Sequence, residues 1–191
     1  MPSLKGTQTE KNVLAAFAGE SQARNRYTFF ASVARKEGYE QIAWIFEDTA
    51  NNEKEHAEMF FNLLEGGDVE IHAAYPAGVV GTTEENLLAA AAGERLEWTT
   101  LYQEFAKTAR EEGLRNVEVV FHEIAEVEEE HEKRYLTLYD NLQTGKVFKR
   151  DEVVKWRCRN CGYVHEGTTA PNVCPACRHA QSYYELMPEN Y

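Results

Sequence analysis

Two Glu-x-x-His pairs, Glu53-x-x-His56 and Glu128-x-x-His131, set a carboxylate and an imidazole one helical turn apart. Side chains three residues apart share a helix face, so each pair can grip one metal ion from a single rigid element. A lone Glu-x-x-His is a weak signal in so glutamate-rich a chain. Near the C-terminal end, Cys158-x-x-Cys161 and Cys174-x-x-Cys177 form a second constellation. Each turn points two thiolates at one ion, and two turns close a tetrahedron. The first 157 residues contain no cysteine.

Position makes the Glu-x-x-His pairs informative. Ile42, Phe46, Thr49, Glu53, His56, Phe60 and Leu63 alternate spacings of four and three, and Val117, Phe121, Ile124, Glu128, His131, Tyr135 and Leu138 keep the same register. Each set forms one stripe, the side that a helix bundle must bury. A buried carboxylate needs a cation or a proton. Glu20 lies on a stripe with Val13, Phe17, Tyr27 and Ala34; Glu94 lies with Leu87 and Ala91, and Glu97 follows one turn later. Five carboxylates and two imidazoles thus face one space. An oxygen-rich, partly nitrogen donor set without thiolate suits iron or manganese better than copper or structural zinc. Glu126, Glu129, Glu130 and Glu132 fall off the stripe and are expected in solvent.

The elements that must position these residues are helical. Thr7-x-x-Glu10 and Thr82-x-x-Glu85 have capping-box spacing, while Gly38, Gly66-Gly67, Gly113 and Gly145 mark helix ends. Four helices are predicted over 7–37, 39–65, 83–112 and 114–144, each about 40 Å long at ~1.5 Å per residue. The 66–82 segment, with Pro76, Gly78 and Gly81, is a long crossover between two antiparallel hairpins. The hairpins are related by a repeat. A shift of 75 residues puts Glu53 on Glu128 and His56 on His131, whereas Glu20 meets Glu94 at a shift of 74. One extra residue therefore lies between Glu94 and Tyr102, and a single π-turn there is predicted to absorb it and let Glu94 and Glu97 both face inward. Val153, Val154, Trp156, Tyr163 and Val164 predict short strands around the cysteines. The domain boundary is placed near 150: a four-helix bundle over 1–150 and a small β module over 151–191.

Composition narrows the function. The net charge of −12 excludes a phosphate-neutralising nucleic-acid binder. The longest apolar run, Leu87 to Ala92, is too short to cross a membrane, and Met1 to Gly6 lack a signal-peptide core. A cytoplasmic protein is expected, in which reduced cysteines serve as metal ligands.

A glutamate from each of two helices plus Glu-x-x-His from the other two resembles the ferritin-like di-iron pattern of four-helix bundles. Ala18-Gly19-Glu20-Ser21-Gln22-Ala23-Arg24, Ala92-Gly93-Glu94-x-x-Glu97 and a C-terminal four-cysteine module resemble the rubrerythrin family over essentially the whole chain. The resemblance implies Glu20, Glu53, His56, Glu94, Glu97, Glu128 and His131 as ligands of two irons. It implies Tyr27 and Tyr102 as donors to ligand carboxylates, and Glu97 as a ligand exchanging with His56 when iron is reduced. Cys161-Gly162-Tyr163 and Cys174-Pro175-Ala176-Cys177 resemble rubredoxin knuckles holding one further iron, although Arg178 stands where glycine is usual. By itself the module equally suits a zinc ribbon. The implied activity is peroxidase: hydrogen peroxide goes to water, with electrons from a donor protein (a rubredoxin or a reductase) passing through the tetrathiolate iron of a homodimer or larger homo-oligomer. A ferroxidase, or a non-enzymatic metal protein with a zinc ribbon, is the alternative.

Overall fold

The structure, a computed structural model, describes residues 2–190. Helices α1 (Gln8–Lys36) and α2 (Glu40–Leu63) form the first hairpin. The second consists of α3 (Thr83–Leu96), a π-turn (Glu97–Leu101) and α4 (Tyr102–Glu111), followed by α5 (Arg115–Gln143). Thr7 caps α1 by accepting from the Glu10 amide at 3.0 Å, though the Glu10 carboxylate returns to Gly6 N instead of completing a box. Thr82 and Glu85 complete theirs. Gly38, Gly113 and Gly145 end helices with φ of 86°, 74° and 67°, the left-handed conformation that a glycine adopts without Cβ strain.

The extra residue is accommodated as the repeat requires. Tyr102 N–H donates to Glu97 O, five residues back, so the slip is confined to one turn. It restores Tyr102 to the interior, where it is 1% exposed. Two apolar clusters then flank the bundle's polar middle. One joins Tyr27, Phe30, Phe46 and Tyr135; the other joins Phe60, Tyr102, Phe121 and Val117. Burying each of these large side chains contributes about 1.5–3 kcal/mol, which sets the bundle's shape around carboxylates that alone would oppose it.

After α5 the chain forms an antiparallel sheet in the order β2-β1-β3, with β1 Lys149–Cys158, β2 Val164–Thr169 and β3 Tyr184–Leu186. Its core contains Trp156, Cys158, Ala170, Cys174 and Tyr184. This module rests on the end of its own bundle. Phe148 stacks on Tyr39 at 6.2 Å and 10°, and the Arg159 guanidinium lies 5.0 Å from the Trp44 ring. Among the described residues no helix is long and apolar enough to cross a membrane.

Candidate metal centre

Six of the seven bundle candidates converge. Glu20, Glu53, His56 and Glu128 have ligand atoms within 4.8 Å of one another, and so do Glu53, Glu94, Glu128 and His131. Glu53 and Glu128 belong to both groups. α2 and α5 supply them at equivalent places, one turn before His56 and His131. His56 Nδ1 lies 2.9 Å from Glu53 Oε2 and 2.8 Å from Glu128 Oε1; His131 Nδ1 lies 2.6 Å from Glu128 Oε2 and 3.3 Å from Glu53 Oε1.

Glu20 Oε2, both oxygens of Glu53 and Glu128, and Nδ1 of both histidines are buried without a well-formed hydrogen bond. Such orphaned groups are costly, and a domain tolerates seven in one space only if something charged satisfies them. Two cations would do so, and Glu53 and Glu128, which belong to both groups, could serve each of them. The remaining lone pairs are held from outside: Tyr27 donates to Glu94 Oε1 at 2.5 Å, and Tyr102 donates to Glu20 Oε1. These two contacts have the geometry that sequence resemblance implied for the tyrosines.

The electrostatics describe a site under strain from its own charge when no metal is bound. Burial, then the charges of neighbouring carboxylates, raise Glu20 and Glu94 well above the ordinary carboxylate range. Burial favours neutral imidazole, but the close carboxylates of Glu128 and Glu53 outweigh it, raising His56 to about 10 and His131 to about 9. Glu128 is buried too, yet the close imidazoles of His131 and His56 bring it below the usual value.

Glu97 sits apart from the other six. It lies outside both ligand groups, and its half-buried side chain lines a cavity of about 630 Å³ between α1 and the crossover. The π-turn carries it to the edge of the site, beside Glu94, without taking it among the other ligands. Burial and the charges of Glu128 and Glu53 raise it to about 8. His56 occupies the interior on that side. A correction concerns Glu132, expected in solvent. It is 6% exposed and accepts from Trp98 Nε1 at 2.6 Å and Arg95 at 3.3 Å. The π-turn brings the Trp98 indole to it, and helix periodicity alone does not report that. Tyr75, on the crossover, has no periodic signal to mark it in the sequence. It anchors to Ala15 O at 2.7 Å and lines the same cavity as Glu97.

The four cysteines are free thiols whose sulfurs lie within 4.8 Å of one another. Cys158–Cys177 and Cys161–Cys174 are each 3.7 Å apart. A tetrahedron with ~2.3 Å metal–sulfur bonds has edges of about 3.8 Å, so the knuckles fit one ion. Gly162 and Arg178 occupy corresponding left-handed positions, φ 79° and 64°, and their amides donate to Cys158 O and Cys174 O at 2.8 and 2.9 Å.

Comparison with known proteins agrees with this geometry. The family profile described as "Rubrerythrin" matches residues 11–154, and "Rubrerythrin, rubredoxin-like domain" matches 156–185. The rubrerythrin of Porphyromonas gingivalis is 61% identical over 99% of this chain and 94% of its own length. That of Nitratidesulfovibrio vulgaris is 56% identical over the whole of both. A solved structure titled as a mixed-valence state of nigerythrin is 30% identical, covers 97% of this chain and 92% of its own, and superposes with a TM-score of 0.64.

Proposed function

We propose that this chain, which belongs to the rubrerythrin family, is a peroxidase reducing hydrogen peroxide to water at a di-iron centre fed by a tetrathiolate iron. The observation that supports it best is the sharing of Glu53 and Glu128 by both ligand groups. With Glu53 and Glu128 common to both groups, two metals held there would be neighbours, and one two-atom substrate could meet both. Glu20, Glu53, His56, Glu94, Glu128 and His131 would hold the pair, and the four cysteines a single iron. The chemistry that paired irons supply when bound is delivery of two electrons to the oxygen–oxygen bond.

The residues of this chain do the rest. The balance is H2O2 + 2 e− + 2 H+ → 2 H2O, so protons must reach the departing oxygens. Glu97, placed between the cavity and the ligand groups, is positioned to carry a proton inward from the cavity. The resemblance implies that its carboxylate would be the group to exchange with His56 as a ligand when the metals are bound. Tyr27 and Tyr102 keep Glu94 and Glu20 oriented while charge at the centre changes.

Electrons pass one at a time through the cysteine module, and in our reading they cross between subunits. Arg159, beside Cys158, contacts Trp44, which precedes Glu53 by nine residues on α2, or about 14 Å along the helix. A head-to-tail homodimer would instead set the module against the flank of its partner's bundle. A surface groove lined by Asn52, Lys133, Arg134 and His131 opens there onto a ligand's outer edge.

Anaerobic titration of the reduced, iron-loaded protein with peroxide tests the function. Two irons oxidised per peroxide, with water as product, is expected. Oxidation by dioxygen with peroxide left intact would favour a ferroxidase, and zinc in the cysteine site after iron-replete expression would remove the relay.

A further inference from the structure

The cavity beside Glu97 is far larger than hydrogen peroxide needs. It holds about 630 Å³, whereas peroxide takes up little more than the ~30 Å³ share of one water. Spaces of about 300–1,000 Å³ with apolar walls and a few polar groups are the kind that enclose organic ligands. The walls come from three parts of the chain. α1 contributes Ala15, Ala16 and Ala23, the second hairpin Leu101 and Phe105, and the crossover Pro76. Ala16, Gly19 and Ala23 follow one another at spacings of three and four, so α1 turns a face of small residues to the space. A Cβ at Gly19 would lie 3.7 Å from both Glu97 Oε1 and the Tyr75 ring, and the glycine leaves that gap open.

The cavity also has a direction. Lys11, Glu70 and His72 are exposed and mark its solvent side, while Tyr27 and Tyr102, each 1% exposed, bound it within the bundle. Tyr102 bonds Glu20, of one ligand group, and Tyr27 bonds Glu94, of the other. The space thus leads from solvent to the border of both groups, with Glu97 in its wall.

We propose that this cavity binds the organic part of alkyl or aryl hydroperoxides, which the chain reduces alongside hydrogen peroxide. The inference rests on the peroxidase reading of the bundle site and gives it a second substrate class. A hydroperoxide joins an apolar body to a polar end, and the cavity joins apolar walls to polar groups beside the ligands. Burying the body against the alanines, Leu101 and Phe105 supplies binding free energy that hydrogen peroxide lacks. The reaction balances as ROOH + 2 e− + 2 H+ → ROH + H2O. The O–O bond breaks with two electrons from the iron pair. The oxygen on carbon takes one proton and leaves as the alcohol; the terminal oxygen takes the other and leaves as water.

Cumene hydroperoxide and its unreactive product alcohol, 2-phenyl-2-propanol, are the probes, used with the full-length, iron-loaded protein. Calorimetric titration of the oxidised protein with the alcohol should show saturable binding at a single site. Ala15→Leu fills the cavity from a half-buried position in a helix, which accepts leucine readily. It should abolish the alcohol's heat. Anaerobic turnover of cumene hydroperoxide should fall relative to that of hydrogen peroxide by about tenfold or more, mainly through KM, since a misfit in an apolar pocket costs about 10–200-fold. Ala89, the counterpart of Ala15 at the 74-residue shift, is exposed on α3 outside the cavity, and Ala89→Leu should change neither readout. No binding of the alcohol by the unsubstituted protein overturns the proposal, so the test survives an Ala15→Leu chain that does not fold. Failure to reduce cumene hydroperoxide while hydrogen peroxide is turned over also overturns it, as does an Ala15→Leu ratio equal to that of Ala89→Leu. The alcohol titration involves no turnover. Binding that Ala15→Leu abolishes, in a protein that reduces neither peroxide, would count against the proposed function and leave the cavity's ligand class standing.

Discussion

The Tyr27 hydroxyl reaches Glu94 Oε1 at 2.5 Å, joining residues 67 positions apart. Its repeat counterpart, Tyr102, bonds Glu20. Each hairpin's tyrosine therefore holds the other hairpin's glutamate, and the two halves of the bundle are cross-braced through the metal site. Tyr27→Phe removes one brace and leaves a buried carboxyl oxygen without its donor. Denaturant unfolding of the metal-free variant should show a loss of about 1–3 kcal/mol, and peroxide turnover should fall as Glu94 loses its fixed orientation.

Metal removal should reverse the usual response to alkali. Without metal, Glu97, His131 and His56 titrate near 8, 9 and 10 in the fold, each above its ordinary value. The native state then binds more protons than the unfolded chain, so stability falls as pH rises. The histidine contributions are fully present below about 6.5 and disappear as pH passes 9 to 10. Glu128, depressed, contributes above its unfolded value and loses this only in acid. Thermal melts of apoprotein from pH 6 to 10 should show a declining Tm, and metal loading at neutral pH should release protons measurable in weak buffer. A flat profile would mean that the cluster is not protonated as described.

Glu97→Ala should impair peroxide turnover by tenfold or more while the protein still binds two irons in the bundle, since six other residues converge there without it. General acid–base groups contribute about 10²–10⁴-fold in typical enzymes. Stopped-flow turnover beside anaerobic iron analysis separates the two effects. Full turnover in the variant would make Glu97 a bystander.

Subunit crossing of electrons predicts complementation. Cys158→Ser disables the relay and Glu53→Ala the bundle site, and each homodimer should be inactive. Mixed dimers formed by verified subunit exchange retain one intact pair across the interface and should recover up to about half of wild-type activity, a symmetric pair being the simplest assembly. No recovery would assign the relay to a single chain.

Arg178 adopts φ 64°, a conformation disfavoured for a residue with a Cβ by roughly 1–2 kcal/mol. Arg178→Gly should therefore stabilise the cysteine module toward denaturant by around 1 kcal/mol, less the greater freedom of glycine in the unfolded chain. The visible spectrum of the iron-loaded site should stay unchanged.

The bundle is largely legible in the sequence because its signals are local and doubled. The four-three spacing that carries Glu53 and His56 recurs around Glu128 and His131, and the 74-against-75 offset locates the π-turn where the helix holds it. Glu97 is only half legible. Spacing shows which way a helix residue projects but not how far its side chain travels, and here the carboxyl stops at the cavity. Glu132 escapes periodicity because its burial depends on Trp98 from another helix, as Glu118 on α5 is covered in part by Arg110 from α4. The perch of the module on Trp44 and Tyr39 arises from contacts between distant segments, to which periodicity is blind.

The π-turn gives the two hairpins different mechanical characters. α1 runs unbroken for 29 residues, while its counterpart is interrupted at Glu97–Leu101. An interruption of this kind behaves like a dislocation in a crystal: the order on either side is intact, and adaptability is concentrated at the fault. Glu97 is the first residue of that fault, whereas Glu20, its neighbour across the site, is clamped in a regular helix. One inserted residue thus divides the centre into a rigid wall and a compliant one, and a deletion that healed the helix would stiffen both.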